Sequence, residues 1–96
     1  MAEHPHVLAH DHEDNVAVVV VEGLTAGTRA RGVITVDDSA FEIDVKADVP
    51  IGHKVALKDL ADGETAIKYG QDIGKFVKAV AAGDHVHVHN LKTKRW

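Results

Sequence analysis

Short apolar runs separated by glycine-containing turns constrain the fold of this chain more than any other feature of its sequence. The longest continuous run, Val16 to Val21, is too short for an ordinary globular helix. Valine is prominent in these runs, and β-branched residues favour strands. Strands this short, with turns this frequent, predict an all-β barrel-like or clip-like module with at most one short helical turn, over Lys58–Leu60.

The runs differ in how apolar and polar residues alternate. Val16–Val21 is nearly continuous in apolar residues, which predicts a strand buried on both faces. Phe41–Val45 alternates apolar and acidic residues, which predicts a half-exposed strand that forms a hairpin with Gly32–Val36. Other short strands are expected over residues 7–9, 53–57, 66–69, 76–80 and 85–89.

Three turns share a pattern of an apolar residue, two spacers, a glycine and a polar residue. They occupy residues 24–28, 60–64 and 80–84. Because their spacing is uneven, we expect a reused turn and not a solenoid repeat. The glycine is expected where the chain reverses with positive φ.

The composition indicates one small domain, which we expect to be cytoplasmic. The chain has 96 residues, of which 45% are hydrophobic and 4% aromatic, so a modest core of Val, Ile, Leu and Ala is expected. The chain contains no cysteine, which excludes a disulfide framework and a thiolate metal site. The net charge of −4 argues against a general nucleic-acid binder, and no apolar run is long enough to span a bilayer.

Both ends of the chain are expected to lie outside the folded body. Residues 1–12 lack the layout of a signal peptide and carry irregularly spaced histidines, so we expect a flexible N-terminus there, leading into the first strand. Residues 91–96 form a basic tail. A solvated terminus and a contact with a partner chain or an anionic ligand are both open interpretations of that tail.

The strongest candidate site is a run in which His85, His87 and His89 alternate with valines. If the segment is a strand, the three imidazoles share one face of it. Three neutral imidazoles could ligate a divalent metal such as zinc or iron. They could equally supply a proton-transfer group and a binder for an anionic substrate. The alternative is an exposed or partner-facing strand edge.

A second candidate site follows the glycine bend at Gly52. Lys54 is a point charge suited to a carboxylate, phosphate or sulfonate, and His53 lies beside it at the mouth of a loop. The alternative is a solvated loop lysine next to a capping histidine. A third stretch, residues 68–74, has glycines that shape the backbone, although Lys68 or Tyr69 could reach a ligand.

Four linked motifs resemble the N-terminal SAF-type domain of the altronate/galactarate dehydratase family. Together they extend over most of the chain, and they occupy residues 14–18, 50–57, 67–74 and 83–90. The resemblance implies a compact β-clip fold. In that family the small domain either precedes a large catalytic domain or is a separate small subunit, and the end of this chain soon after Asn90 favours the separate subunit.

The resemblance implies a lyase subunit that is inactive without a large catalytic subunit. The expected reaction is a β-elimination on a small anionic 2-hydroxy acid, (2R)-3-sulfolactate, to give pyruvate and sulfite. The first alternative is a sugar-acid dehydratase acting on altronate, and the second is a non-catalytic module that binds a sugar acid or a metal. We also expect that the complex can form a homo-oligomer.

The resemblance also suggests roles for the candidate residues. We expect His85 and His87 to be catalytic, and His85, His87 and His89 to ligate a divalent metal, expected to be Fe²⁺, that grips the carboxylate and hydroxyl of the acid. His53, Lys54 and Asn90 are expected to bind the substrate. The main base is expected to come from the large subunit.

Overall fold

Short β-strands form all the regular structure in the part of the chain that we describe. A computed structural model describes residues 4–87 and 89–92. Its nine strands, in chain order, are β1 Val7–Ala9, β2 Val16–Val19, β3 Arg29–Ile34, β4 Ser39–Asp44, β5 Lys54–Ala56, β6 Thr65–Lys68, β7 Gln71–Phe76, β8 His85–Val86 and β9 Leu91–Lys92. The prediction of an all-β module of short strands is confirmed.

Six of the strands form one sheet in the order β4-β3-β1-β2-β5-β8. The strand pairs are antiparallel except β1 with β3, which run parallel. The predicted hairpin is β3–β4, and apolar and polar residues alternate along β4 as expected. In β2 the outer face is less buried than predicted, because Val18 is half-buried and the next even position, Val20, is exposed.

Strand β1 lies inside this sheet, between β2 and β3. Val7 is fully buried, and the backbone N–H of His6 donates to the carbonyl of Arg31. Arg31 in turn donates its backbone N–H to Nδ1 of His6. The expectation of a flexible N-terminus over residues 1–12 therefore does not fit from His6 onward, because this segment is hydrogen-bonded into the centre of the sheet.

The other three strands form a second sheet in the order β6-β7-β9. The β6–β7 hairpin turns through Tyr69 and Gly70, whose φ angles are 57° and 68°. Positive φ at both central residues is the geometry of a type I′ turn, which matches the twist of paired strands. This turn makes residues 71–74 part of β7, where no strand was predicted, and the predicted strand over residues 76–80 ends at Phe76.

The apolar residues divide between two cores. The larger core is formed mainly by the inner face of the six-stranded sheet, and its buried members are Val7, Ala9, Ala17, Val19, Leu24, Ala30, Ile43, Val45, Val49 and Val55. The smaller core packs around Phe76 under the second sheet, with Val16, Ala56, Leu60, Ala66, Val80 and Val86. Strands β2 and β5 contribute to both cores, so they join the two sheets.

The repeated turn predicted from the sequence is present three times. Gly27, Gly63 and Gly83 all have φ close to 90°. Each turn begins at a buried residue that makes an isolated bridge, and Leu60 bridges Val80, so two of the turns contact each other. A Cβ at Gly83 would collide with the carbonyl oxygen of Asp44, so packing as well as φ requires glycine there. The optional helical turn over residues 58–60 is not formed.

The C-terminal segment is only partly within the described residues. Leu91 and Lys92 form β9 and pair with Phe76 and Lys75 of β7, so the predicted tail over 91–96 begins inside the second sheet. Residues 93–96 lie outside the described residues. Within residues 4–87 and 89–92, no helix is long and apolar enough to cross a membrane.

Candidate functional site

Pairing of β5 with β8 brings two of the candidate residues together. Val55 lies opposite His85 in this pair, and His53 directly precedes β5. Nδ1 of His53 and Nε2 of His85 are 2.7 Å apart, a hydrogen-bond distance. A hydrogen bond between these nitrogens requires one ring to donate an N–H and the other to accept it.

Two further histidines complete what we call the histidine cluster, formed by His53, His85, His87 and His89. The rings of His53 and His87 stack with their centroids 3.5 Å apart and their planes 10° apart. His89 contacts His85 with ring centroids 4.9 Å apart and a tilt of 45°. The four imidazoles therefore gather at one edge of the six-stranded sheet, as the sequence predicted for three of them.

The backbone that carries the cluster differs from the prediction. The strand expected over residues 85–89 ends at Val86. Beyond it the chain reverses, because the carbonyl of His87 accepts hydrogen bonds from the N–H groups of both Asn90 and Leu91. The histidines thus converge through a turn and a strand pair, not through alternation along one extended strand.

Asn90 holds this turn. Its side-chain oxygen accepts a hydrogen bond from the backbone N–H of His87 at 3.0 Å, and its Nδ2 donates to the carbonyl of His85 at 2.8 Å. The residue is only 5% exposed. In the structure Asn90 therefore positions the histidine turn, and substrate contact, the role expected for it from the sequence, stays a prediction.

The electrostatic surroundings favour the neutral forms of His85 and His87. Burial, followed by the charges of neighbouring histidines, lowers the pKa of His85 below its usual value. Burial likewise lowers the pKa of His87, and the charges of His53 and Lys54 act in the same direction. A neutral imidazole at neutral pH can accept a proton, which is the form required of a general base.

The described side chains, as the structure places them, do not form the three-histidine metal site expected from the sequence. Within residues 4–87 and 89–92, no group of three or more His, Cys, Asp or Glu side chains could hold a metal ion. The contacts that define the cluster are therefore its hydrogen bond and its stacked rings.

Lys54 lies near the cluster and also near Lys68, which contacts Tyr69. It pairs with Val18 of β2, and side chains at paired positions share one face of a sheet. Burial lowers the pKa of Lys54, and the charge of Lys68 lowers it further. Lys68 places its Nζ 3.8 Å from the centre of the Tyr69 ring, a cation–π contact.

Asp14 and Asn15, for which the sequence suggested no individual role, form a buried polar corner between the two sheets. Asp14 accepts hydrogen bonds from the backbone N–H groups of His10, Asp11 and Gly70. Burial acts to raise the pKa of Asp14, but these backbone donors outweigh it and lower that pKa. Asn15 bonds with both its side-chain oxygen and nitrogen to the backbone of β6. An Asp-Asn pair just before a buried strand was the available sequence signal.

A family model for the altronate/galactarate dehydratase SAF domain matches residues 5–94. The chain therefore belongs to this family, as the resemblance had indicated.

Several curated proteins are similar to the chain. The (2R)-sulfolactate sulfo-lyase subunit alpha of Chromohalobacter salexigens is 52% identical over 89 residues, covering 93% of this chain and 95% of that subunit. The protein of the same name in Paracoccus pantotrophus is 61% identical over 64 residues, which are 67% of this chain and 96% of that protein. Altronate dehydratase of Escherichia coli is 44% identical over 80 residues, which are 83% of this chain but only 15% of the enzyme.

Proposed function

We propose that this member of the family is the small subunit of a lyase that converts (2R)-3-sulfolactate to pyruvate and sulfite together with a large catalytic subunit. One observation carries the proposal. The chain matches almost the whole of a sulfo-lyase alpha subunit, whereas it matches only a small fraction of altronate dehydratase. The identity to that alpha subunit, 52%, is also higher than the 44% identity to altronate dehydratase.

The reaction removes the proton on C2 of the hydroxy acid and breaks the bond between C3 and sulfur. Sulfite leaves with the electron pair of that bond, and the electrons of the C2–H bond form the double bond of an enol. The enol takes up a proton at C3 and loses the hydroxyl proton, which gives pyruvate. Two proton transfers at carbon are therefore needed, and each requires a positioned acid or base.

The histidine cluster supplies groups suited to such proton transfers. His85 and His87 are neutral because their pKa values are lowered, so either can accept a proton near neutral pH. The hydrogen bond between His53 and His85 gives a proton a path from one ring to the other. Removal of the C2 proton is assigned to the large subunit, as expected from the sequence, and proton exchange with solvent or product is assigned to this cluster.

The direct test is to co-express the chain with a large subunit of the same family and to assay two products. Sulfite release from (2R)-3-sulfolactate is the expected activity, and it should require both chains. Formation of a keto acid from altronate, without sulfite release from sulfolactate, would favour the sugar-acid dehydratase alternative. Failure of either substrate to react would favour a non-catalytic binding module.

A variant tests the assignment of the cluster. His87→Ala should lower turnover of the reconstituted complex by a factor on the order of 100 or more, the usual scale for a lost acid–base group. His12→Ala is the control, since His12 is exposed and contacts Asp37 on another part of the surface. Unchanged turnover by the His87 variant would remove the cluster from the mechanism.

Three finer expectations stay predictions. They are Fe²⁺ as a cofactor of the complex, which metal analysis of the purified complex tests, a cytoplasmic location, and assembly of the complex into a homo-oligomer.

A further inference from the structure

Lys54 and Lys68 are two cations for which the described part of the chain provides no anion. Within residues 4–87 and 89–92, the ion pairs join His12 to Asp37 and Arg29 to Glu42 and Asp44. Both lysines are half-buried, so water screens their charges less than it screens those of exposed lysines. The charge of Lys68 reaches Lys54, and two half-buried like charges in range of each other are unfavourable unless an anion joins them.

The position of Lys68 is fixed by an aromatic ring. Its Nζ lies 3.8 Å from the centre of the Tyr69 ring, and the other contact of that ring is with His10, at a centroid distance of 4.7 Å. Tyr69 is 56% exposed at the hairpin tip, where the type I′ turn gives it a positive φ. A residue as bulky as tyrosine is uncommon at such a position.

A buried carboxylate holds the turn that carries Tyr69. Oδ1 of Asp14 accepts a hydrogen bond from the N–H of Gly70 at 2.8 Å, while Oδ2 accepts from the N–H of His10 at 2.9 Å. Asp14 thus holds two segments in place: the hairpin tip that carries Tyr69, and His10, whose ring contacts that of Tyr69. Because Lys68 contacts the same tyrosine ring, this arrangement also positions Lys68.

A cavity of about 300 Å³ lies beside these groups. Its lining includes Lys68, Tyr69 and His10 together with the apolar side chains of Leu8, Val18 and Val20. Lys54 is the sheet neighbour of Val18, so its side chain lies on the face of the six-stranded sheet that lines this cavity. The volume is sufficient for an acid with a three-carbon chain, and the apolar lining strengthens electrostatic contacts made within the cavity.

We propose that Lys54 and Lys68 together bind the two anionic groups of a dianionic 2-hydroxy acid, with Tyr69 as the residue that positions Lys68. The proposal rests on the proposed function, since sulfolactate carries both a carboxylate and a sulfonate. A sugar acid such as altronate carries one negative charge and leaves one lysine without a partner. The lysine pair is therefore a specificity determinant as well as a binding site.

The position of the two lysines is consistent with a single site in which the histidine cluster is the reacting part. The charge of Lys54 contributes to lowering the pKa of His87. An anion held by Lys54 would therefore lie within electrostatic range of His87, one of the two rings proposed to transfer protons. Lys68 then holds the far end of the substrate, away from the histidines.

The test uses Lys68→Met in the reconstituted two-subunit complex. We expect kcat/KM for sulfolactate to fall roughly 10- to 100-fold, mostly through KM, because a hydrogen-bonded charge contact is lost equally from substrate and transition state. Lys75→Met is the matched control, since Lys75 is an exposed lysine on the same hairpin. Tyr69→Phe should keep KM nearly unchanged, whereas Tyr69→Leu, which removes the ring from under Lys68, should raise it.

A competition experiment tests the preference for two charges. Inhibition by 3-sulfopropanoate, a dianion, should exceed inhibition by propanoate, a monoanion, and Lys68→Met should reduce that difference at least tenfold. An unchanged KM and an unchanged ratio of inhibition in a folded Lys68→Met complex would overturn the proposal. If the unsubstituted complex fails to release sulfite from sulfolactate, the proposed function itself has failed, which is a separate outcome.

Discussion

The buried corner at Asp14 and Asn15 and the histidine cluster are both polar, but their hydrogen bonds differ in kind. Asp14 is 7% and Asn15 is 6% exposed, and their side chains bond to backbone groups of neighbouring segments. In the cluster, by contrast, the histidine side chains contact one another. The corner therefore provides hydrogen-bond partners for backbone groups, whereas the cluster places ionisable side chains of one kind next to each other.

This difference separates polar residues that hold the fold from those that carry chemistry. A buried polar group with all its partners rigidifies the structure around it. In the cluster, burial and neighbouring charges lower the pKa values of His85 and His87, and perturbed pKa values of this kind concentrate at functional sites. Asn90 belongs to the first kind although it lies beside the second, because both ends of its amide bond to the backbone of the histidine turn.

The largest effect on stability is expected at the buried corner. Asp14→Ala would leave several backbone N–H groups without an acceptor, and we expect the free energy of unfolding to fall by about 3 kcal/mol. Urea unfolding followed by circular dichroism measures this change. Asp62→Ala, which alters an exposed aspartate, should change stability by less than about 0.5 kcal/mol. Equal stability of the two variants would contradict the structural role of the corner.

An intermediate effect is expected at Asn90, where both kinds of site meet. Asn90→Ala should lower the free energy of unfolding by about 1–2 kcal/mol, because it removes two hydrogen bonds from the turn. It should also lower kcat of the complex, since His85 and His87 would lose their relative positions. Kinetics at a temperature where the variant is fully folded measure the second effect.

Asn15→Ala provides the matched comparison for this variant. Asn15 is the other buried asparagine, and it makes the same number of backbone hydrogen bonds at a different place in the fold. The Asn15 variant should be destabilised to a similar extent and should keep its kcat. A similar loss of kcat in both would mean that lost stability, and not lost positioning, explains the effect at Asn90.

Local pattern predicted the strands well where alternation was strong, and less well where distant pairing decided the structure. The alternation of Phe41–Val45 identified β4, and the repeated glycine pattern identified three turns with φ near 90°. The strand over residues 7–9 was predicted and is β1, but residues 1–12 as a whole were expected to be a flexible, exposed start. Their actual place depends on parallel pairing of β1 with β3, whose partners are distant along the chain, and no local period reveals it.

The sequence singled out histidines that the structure brings together, but it did not predict how they come together. His53 and His85 were separate candidates, and only the β5–β8 pair brings them within 2.7 Å. The alternation of His85, His87 and His89 predicted a strand, but Asn90 closes a turn instead, and turn-forming asparagine was the signal that competed with alternation. Tyr69 was predicted to be the last residue of a strand over residues 66–69, but together with Gly70 it forms the tip of a hairpin.

The smallest effect is expected from pH, through the contribution of His85 and His87 to stability. The pKa values of His85 and His87 are lowered in the folded chain, so the unfolded chain binds protons first as the pH falls below about 6.5. Their contribution to stability is therefore complete above that pH and is lost as the pH falls towards the lowered values. His12 has a raised pKa, and its contribution therefore changes with pH in the opposite sense.

Comparison with a double variant, His85→Gln with His87→Gln, isolates this contribution, because His12 and the carboxylates are the same in both proteins. Between about pH 7.5 and about pH 5.5, the parent should lose more unfolding free energy than the double variant, by roughly 1 kcal/mol or less. Urea unfolding at the two pH values measures the difference. Parallel pH profiles would show that the two rings are no harder to protonate in the folded chain than in the unfolded one, and the distinction between the cluster and the buried corner would then rest on exposure alone.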